Sequence, residues 1–215
     1  MATHIIHRGL AKKNFKENTL KSFNYCFKKR YGVETDLRCT KDNKIVCFHD
    51  FNLKSKFKIN RFLKNICYDE LKRISKKKNL EVPLLKDLIK LSKNKRFLLL
   101  ELKPLFNKSN LVNLINNIKK LKKYGLISFK EKNLKNLYKI NKNLKLGLLI
   151  SSTSNLKHIK RKSKLKHVKF IVLEKKFLSG KKISKIKKNI FYYTIKTKDL
   201  FNKYKDNKNL IFENL

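Results

Sequence analysis

The chain has 215 residues, of which 41% are hydrophobic and 33% charged, so it carries enough apolar material for a sizeable core and wholesale disorder is excluded. Lys and Arg total 57 against 15 Asp and Glu, a formal net charge of +42. No apolar run reaches the roughly 18 residues of a membrane helix, and the opening MATHIIHRGL lacks the basic-then-apolar plan of a secretory leader.

Short strand-like runs and longer amphipathic ones alternate along the chain. The first strand, 4–8 (HIIHR), ends in His7-Arg8-Gly9. Leu20, Phe23 and Phe27 then recur at helical spacing. The second strand, 32–38 (GVETDLR), runs into Thr40-Lys41-Asp42-Asn43-Lys44, a turn composition. Ile45-Val46-Cys47-Phe48 reads as a returning arm that ends in His49-Asp50. Residues 51–68 show no period and read as an insertion. Helical signals resume at Asp69-Glu70-Leu71, and Pro83 opens a helical run over 84–92. Strand-like runs follow at 96–102, 125–129, 145–150, 168–173, 190–195 and 209–212. Between them lie stretches such as Leu111-Leu114-Ile118-Leu121 and Leu134-Leu137-Ile140.

Eight β-α units predict an α/β fold: a small TIM (β/α)8 barrel with a short insertion after strand 2, formed by one domain over residues 1–215. The rival is an open doubly wound sheet, which would carry a Gly-rich phosphate turn after its first strand; no GxGxxG occurs. No helix follows the last strand, so a looser barrel closure is expected.

The basic excess would suit nucleic acid or an anionic membrane. Only seven of the bases are Arg, however, and Lys is spread over nearly every segment beside Asn and Ile. That distribution fits compositional drift across a solvated surface better than a recognition patch. No specific nucleic-acid partner is expected, and any contact with anionic membrane should be weak. Four cysteines, at 26, 39, 47 and 67, form no C-x-x-C pair and read as buried reduced thiols, which fits a cytoplasmic protein. Monomer and homodimer both remain open.

Acids are scarce, so their placement informs. Glu34 and Asp36, two apart on one strand, leave the same face, while Val33, Thr35 and Leu37 face outward. Glu101 and Lys103 share the inward face of the next barrel strand, with Leu100 and Leu102 outward. Three carboxylates at adjacent strand ends suit a hard divalent cation; pairing with ordinary charged neighbours is the plainer alternative. His7 and His49, each at a strand tip, supply an acid and a base. His4 reads as a solvent-facing or capping residue, and His158 and His167 as surface residues.

These residues resemble a known family. His7-Arg8-Gly9, Glu17-Asn18-Thr19 with Ser22-Phe23, Gly32-Val33-Glu34-Thr35-Asp36, Thr40-Lys41-Asp42, Val46 and His49-Asp50 match the glycerophosphodiester phosphodiesterase family in order, spacing and type. Val82-Pro83-Leu84-Leu85, Glu101-Leu102-Lys103, Ser128-Phe129 and Leu146-Gly147-Leu148-Leu149 extend the likeness. The resemblance implies a TIM barrel that hydrolyses glycerophosphodiesters to glycerol 3-phosphate and an alcohol. It implies that His7 and His49 are the acid/base pair and that Glu34, Asp36 and Glu101 bind a divalent metal, Mg2+ or Ca2+. It further implies phosphate contacts from Arg8 and Lys103.

Some positions depart from the family. The loop after His49-Asp50 reads Phe51-Asn52-Leu53-Lys54-Ser55-Lys56, without the usual Gly or Arg. The late Trp-Thr motif becomes Tyr193-Thr194, keeping an aromatic that could enclose glycerol, whereas Phe191 and Tyr192 read as barrel packing. Two other readings stand beside the diesterase. One is a related barrel phospholipase of D or C type acting on lipid head groups, which would need an apolar rim that no Trp is present to anchor. The other is a basic anion-binding protein on an inactive barrel.

Overall fold

A computed structural model describes residues 2–12 and 14–215, with the side chains of Lys181 and Ser184 left aside. The elements run β1 (His4–Ile6), α1 (Leu20–Lys28), β2 (Gly32–Cys39), β3 (Ile45–Cys47), α2 (Lys54–Phe57), α3 (Tyr68–Lys77) and α4 (Leu85–Ser92). There follow β4 (Leu98–Leu102), α5 (Lys108–Ile118), β5 (Tyr124–Ser128), α6 (Glu131–Ile140), β6 (Leu146–Ile150), α7 (Leu156–Ser163) and β7 (Phe170–Glu174). The chain finishes with α8 (Lys181–Ser184), β8 (Asn189–Ile195), α9 (Lys198–Tyr204) and β9 (Asn209–Phe212).

Every expected strand is present, each shifted by no more than two residues at an end. Strands pair in the order β1-β9-β8-β7-β6-β5-β4-β2, and β1 also pairs with β2, so eight parallel strands close on themselves. β3 is antiparallel to β2, with Leu37 opposite Cys47 and Cys39 opposite Ile45. It carries His49 back toward the C-terminal end of the barrel.

The strands are buried on both sides, as a parallel sheet sheathed by helices requires. Outward side chains such as Val33, Leu37, Leu100 and Leu102 meet Phe23, Leu88, Leu111 and Leu114 of the helices. Inward ones (Ile5, Leu99, Ile127, Leu149, Phe170, Val172, Phe191 and Ile211) fill the barrel interior. The Phe170 ring occupies the space that Cβ atoms would need at Gly125 and Gly147, 2.8 and 2.2 Å from the nearest ring carbons. Thr19, Asn107, Asn155 and Thr197 cap α1, α5, α7 and α9 through their side chains, each accepting from the backbone N–H three residues on.

The insertion is structured. Leu53, Phe57, Leu63 and Ile66 pack with Val46, Phe48, Leu71 and Val82 into a small core of their own. Two expectations need correction. Of the four cysteines, all free, Cys67 is exposed and Cys39 only partly covered, because Cys67 stands at the N-terminal end of α3 rather than under the helix. His167 is buried, not superficial: it precedes β7, lies against Tyr138 and sits 3.7 Å from Glu131. No helix among the described residues is long and apolar enough to cross a membrane.

Candidate active site

The strand period places the polar groups. Two residues beyond five members of the apolar plug, on the same face, stands a group at the barrel mouth. His7 follows Ile5, Glu101 and then Lys103 follow Leu99, Phe129 follows Ile127, Tyr193 follows Phe191, and Glu213 follows Ile211. On β2, Glu34, Asp36 and Arg38 repeat the same step, and Asp36 lies in register with Glu101 of β4.

Glu34, Asp36 and Glu101 converge so that one carboxylate oxygen from each lies within 4.8 Å of the others, and all three are buried. Glu34 Oε1 and Asp36 Oδ1 are buried without a hydrogen-bond partner among the described residues. Glu34 Oε2 accepts the Arg8 backbone N–H at 3.1 Å. Burial, with Asp36 and Glu101 close by, pushes the Glu34 carboxyl well above its usual range. Burial also raises Glu101, against the pull of Lys103. For Asp36 burial works the same way, but Arg8 and Lys103 outweigh it and hold the carboxyl below its usual range. A buried cluster of carboxylate oxygens with free lone pairs is suited to a hard dication.

Two cations border the cluster. Arg8 Nε lies 3.0 Å from Asp36 Oδ2, an ion pair without hydrogen-bond alignment, and Arg8 Nη1 donates to Glu17 Oε2 at 3.2 Å. Lys103 Nζ sits 3.0 Å from Glu101 Oε1 and 3.5 Å from Asp36 Oδ1. Arg8 has φ +53° and precedes Gly9 at φ +70°, so a left-handed turn presents the Arg8 N–H to Glu34. At Gly9 a Cβ would stand 2.5 Å from Ser22 Oγ.

The two imidazoles are each braced by an acid. His7 Nδ1 is 3.3 Å from Glu213 Oε2, and its Nε2 is 3.8 Å from Glu34 Oε2. Burial and the Arg8 charge lower the His7 pKa. His49 Nδ1 lies 2.8 Å from Asp50 Oδ1, and Ser55 donates to the other Asp50 oxygen. The His49 carbonyl accepts from Arg38 Nε at 2.7 Å.

Tyr193 is partly buried, donates to the Ile150 carbonyl at 3.3 Å and meets Phe129 edge-on. With His7, Arg8, Glu34, Glu101 and Lys103 it lines a cavity of about 240 Å³. Phe191 and Tyr192 are packing residues, in the barrel interior and the outer layer respectively.

Several supporting groups have roles that the sequence alone does not assign. Asn18, at φ +56°, accepts from Thr35 Oγ1 at 2.7 Å and donates to Asp36 Oδ2 at 3.3 Å. Glu17 joins Arg8 to Lys56 of the insertion, and Glu213 braces His7. Arg38 was legible as the next inward position of β2, but no acid marked it out. Phe51, Phe62, Leu105 and Phe129 are exposed on loops at the same end of the barrel, an apolar rim made without Trp.

Comparisons with known proteins agree with this architecture. Over its full length the chain superposes on the crystal structure of a glycerophosphodiester phosphodiesterase from Thermotoga maritima, with TM-score 0.83, 19% identity and 95% of that chain covered. An Oleispira antarctica phosphodiesterase in complex with its product sn-glycerol-3-phosphate gives TM-score 0.81 at 20% identity, covering 99% of this chain and 92% of that one. The uncharacterized Bacillus subtilis (strain 168) protein YqiK is 35% identical over 106 residues, 45% of this chain. That match spans only 43% of the Bacillus protein. The profile of the glycerophosphoryl diester phosphodiesterase family matches residues 7–207, nearly the whole barrel, and the chain belongs to that family.

Proposed function

We propose that this protein hydrolyses glycerophosphodiesters to glycerol 3-phosphate and an alcohol, residues 1–215 acting as one domain. The observation that carries this reading is the convergence of Glu34, Asp36 and Glu101 between Arg8 and Lys103, with His7 beside Glu34 and His49 held through its carbonyl by Arg38, two residues from Asp36 on β2. Glu34, Asp36 and Glu101 would hold Mg2+ or Ca2+. Such an ion, when bound, polarises the phosphoryl oxygens and neutralises charge that develops on them.

The chain's own groups do the rest. Arg8, fixed by Glu17 and Asp36, offers a planar fork to the phosphate, and Lys103 adds a point charge. Glu213 and Asp50 face the Nδ1 atoms of His7 and His49, which leaves each Nε2 for proton transfer. One imidazole takes the proton of the attacking oxygen and the other protonates the leaving alkoxide. The Tyr193–Phe129 pair encloses the glycerol arm. Free thiols suit a cytoplasmic setting.

The test is release of glycerol 3-phosphate from a panel of glycerophosphodiesters, with Mg2+ or Ca2+ and with EDTA. Chelator-sensitive release is the expected result. A protein that cleaves no diester yet binds RNA tightly at low salt would instead be a basic binding protein on this scaffold.

A further inference from the structure

A second concavity opens beside the carboxylate cluster. It is a groove of about 370 Å³, within the usual size of a small-molecule site. Phe51 and Phe62 from the insertion, stacked with ring centroids 5.9 Å apart, form one wall, and Leu105 and Phe106 the other. Phe51, Phe62 and Leu105 are 60%, 49% and 48% exposed, large values for apolar side chains.

Its connection to the site is covalent on three sides. Phe51 follows His49-Asp50, Leu105 follows Lys103-Pro104, and Arg38 stands one inward step beyond Asp36 on β2. Arg38 lines the groove while its charge is felt by Asp36, Asp50 and Glu101. Lys64 is the second cation of the lining, and the lining contains no carboxylate. Among the described residues Arg38 makes no ion pair within 4.0 Å; its Nε is engaged by the His49 carbonyl.

Resting on the diesterase reading, we propose that this groove is the subsite for the second arm of the diester, and that it takes an uncharged aliphatic alcohol rather than choline or ethanolamine. A diester has two arms. The cavity beside Tyr193 is lined by His7, Arg8 and Glu34, and the groove is lined by Arg38 of β2 and by Pro104, Leu105 and Phe106 after β4. Its walls offer an alkyl chain apolar surface otherwise left in water. Arg38 and Lys64 repel an ammonium group at the point where choline or ethanolamine would sit.

Burial of each methylene tightens binding by up to about fourfold. An octyl arm should therefore bind the open-sided groove at least about tenfold more tightly than a butyl arm. The test titrates metal-free protein calorimetrically with the methyl, butyl and octyl diesters of glycerol 3-phosphate, each below its micelle-forming concentration. Initial rates with added Mg2+ follow, glycerophosphocholine included. In the exposed double variant Phe51→Ser, Phe62→Ser, the octyl-to-butyl ratio should fall about tenfold toward unity. In Arg38→Gln, kcat/KM for glycerophosphocholine should rise relative to the butyl diester.

Equal affinity for butyl and octyl arms, or an octyl preference untouched by the double variant, overturns the subsite. So does a chain-length effect seen only when the octyl diester is presented in vesicles, which would assign the rim to membrane docking. Chain-dependent binding without cleavage of any diester would uphold the groove and remove the hydrolase. Cleavage of all arms with equal efficiency would do the reverse.

Discussion

Glu34 is the residue on which the centre turns, because the role proposed for it and its contribution to stability oppose one another. It is buried beside two further carboxylates, with Oε1 unpartnered among the described residues. Its charge is crowded by Asp36 and Glu101 in a buried site, which opposes folding; glutamine removes that charge and brings an amide N–H that can donate to a neighbouring carboxylate, a bond worth about 1.5–3 kcal/mol. In EDTA, Glu34→Gln should therefore raise the melting temperature, by roughly 2–6 °C for a chain of this size. Mg2+ or Ca2+ should raise the melting temperature of the parent, and the same variant should lose that shift and its turnover. Glu34→Ala should likewise abolish metal-dependent turnover while the barrel stays folded. A Glu34→Gln variant that melts lower than the parent in EDTA, yet still responds to the dication, would show that this carboxylate is a structural partner and no ligand. For His7→Ala and His49→Ala, losses in kcat of roughly 100-fold or more are expected. A parent-like rate in either would strip that imidazole of its role.

At the scale of elements, the barrel was legible because β-α alternation and strand period are properties of the chain itself. Counting by two puts Glu34 with Asp36 on β2 and Glu101 with Lys103 on β4, and the parallel pairing of the two strands, Asp36 opposite Glu101, brings the two sets together. What could not be counted was tertiary. The core of the insertion, Leu53, Phe57, Leu63 and Ile66 against Val46 and Leu71, is assembled from single apolar residues on short irregular turns. Glu213 and Glu17 reach His7 and Arg8 only through closure of the sheet and packing of the first loop. Burial of His167 depends on α6 supplying Tyr138 and Glu131. Packing inside the barrel carries a further prediction. A methyl group at position 147 would fall 2.2 Å from Phe170 Cε2, on a ring held inside the interior cluster. Gly147→Ala should then cost about 1–3 kcal/mol in urea unfolding. A second change, Phe170→Leu, should recover part of the loss by making room for the methyl. An unaltered midpoint in Gly147→Ala alone would mean that the plug is looser than its geometry implies.

For the whole molecule the governing quantity is net charge. Against 57 bases there are only 15 acids, and several of those (Glu17, Glu34, Asp36, Asp50 and Glu101) are gathered at the barrel mouth, where Arg8, Lys56 and Lys103 pair with Glu17, Asp36 and Glu101. The remaining surface is lysine with few carboxylates to offset it. Folding concentrates this charge, so self-repulsion is larger in the compact state than in the extended chain. Screening shortens the reach of that repulsion, from a Debye length of about 30 Å at 0.01 M salt to about 3 Å at 1 M. The melting temperature should accordingly climb by several degrees between 20 mM and 500 mM NaCl. Catalysis should move the other way. On the proposed reading the same field draws an anionic diester toward the mouth, where Arg8 and Lys103 would bind its phosphate, so kcat/KM should fall over this salt range while kcat changes little. The two trends have one cause and are measured on one sample. A melting temperature that stays flat or declines with NaCl would show that the lysines are too well solvated to repel one another. The surface charge would then have no part in stability, and a fall in kcat/KM would have to be assigned to Arg8 and Lys103 alone.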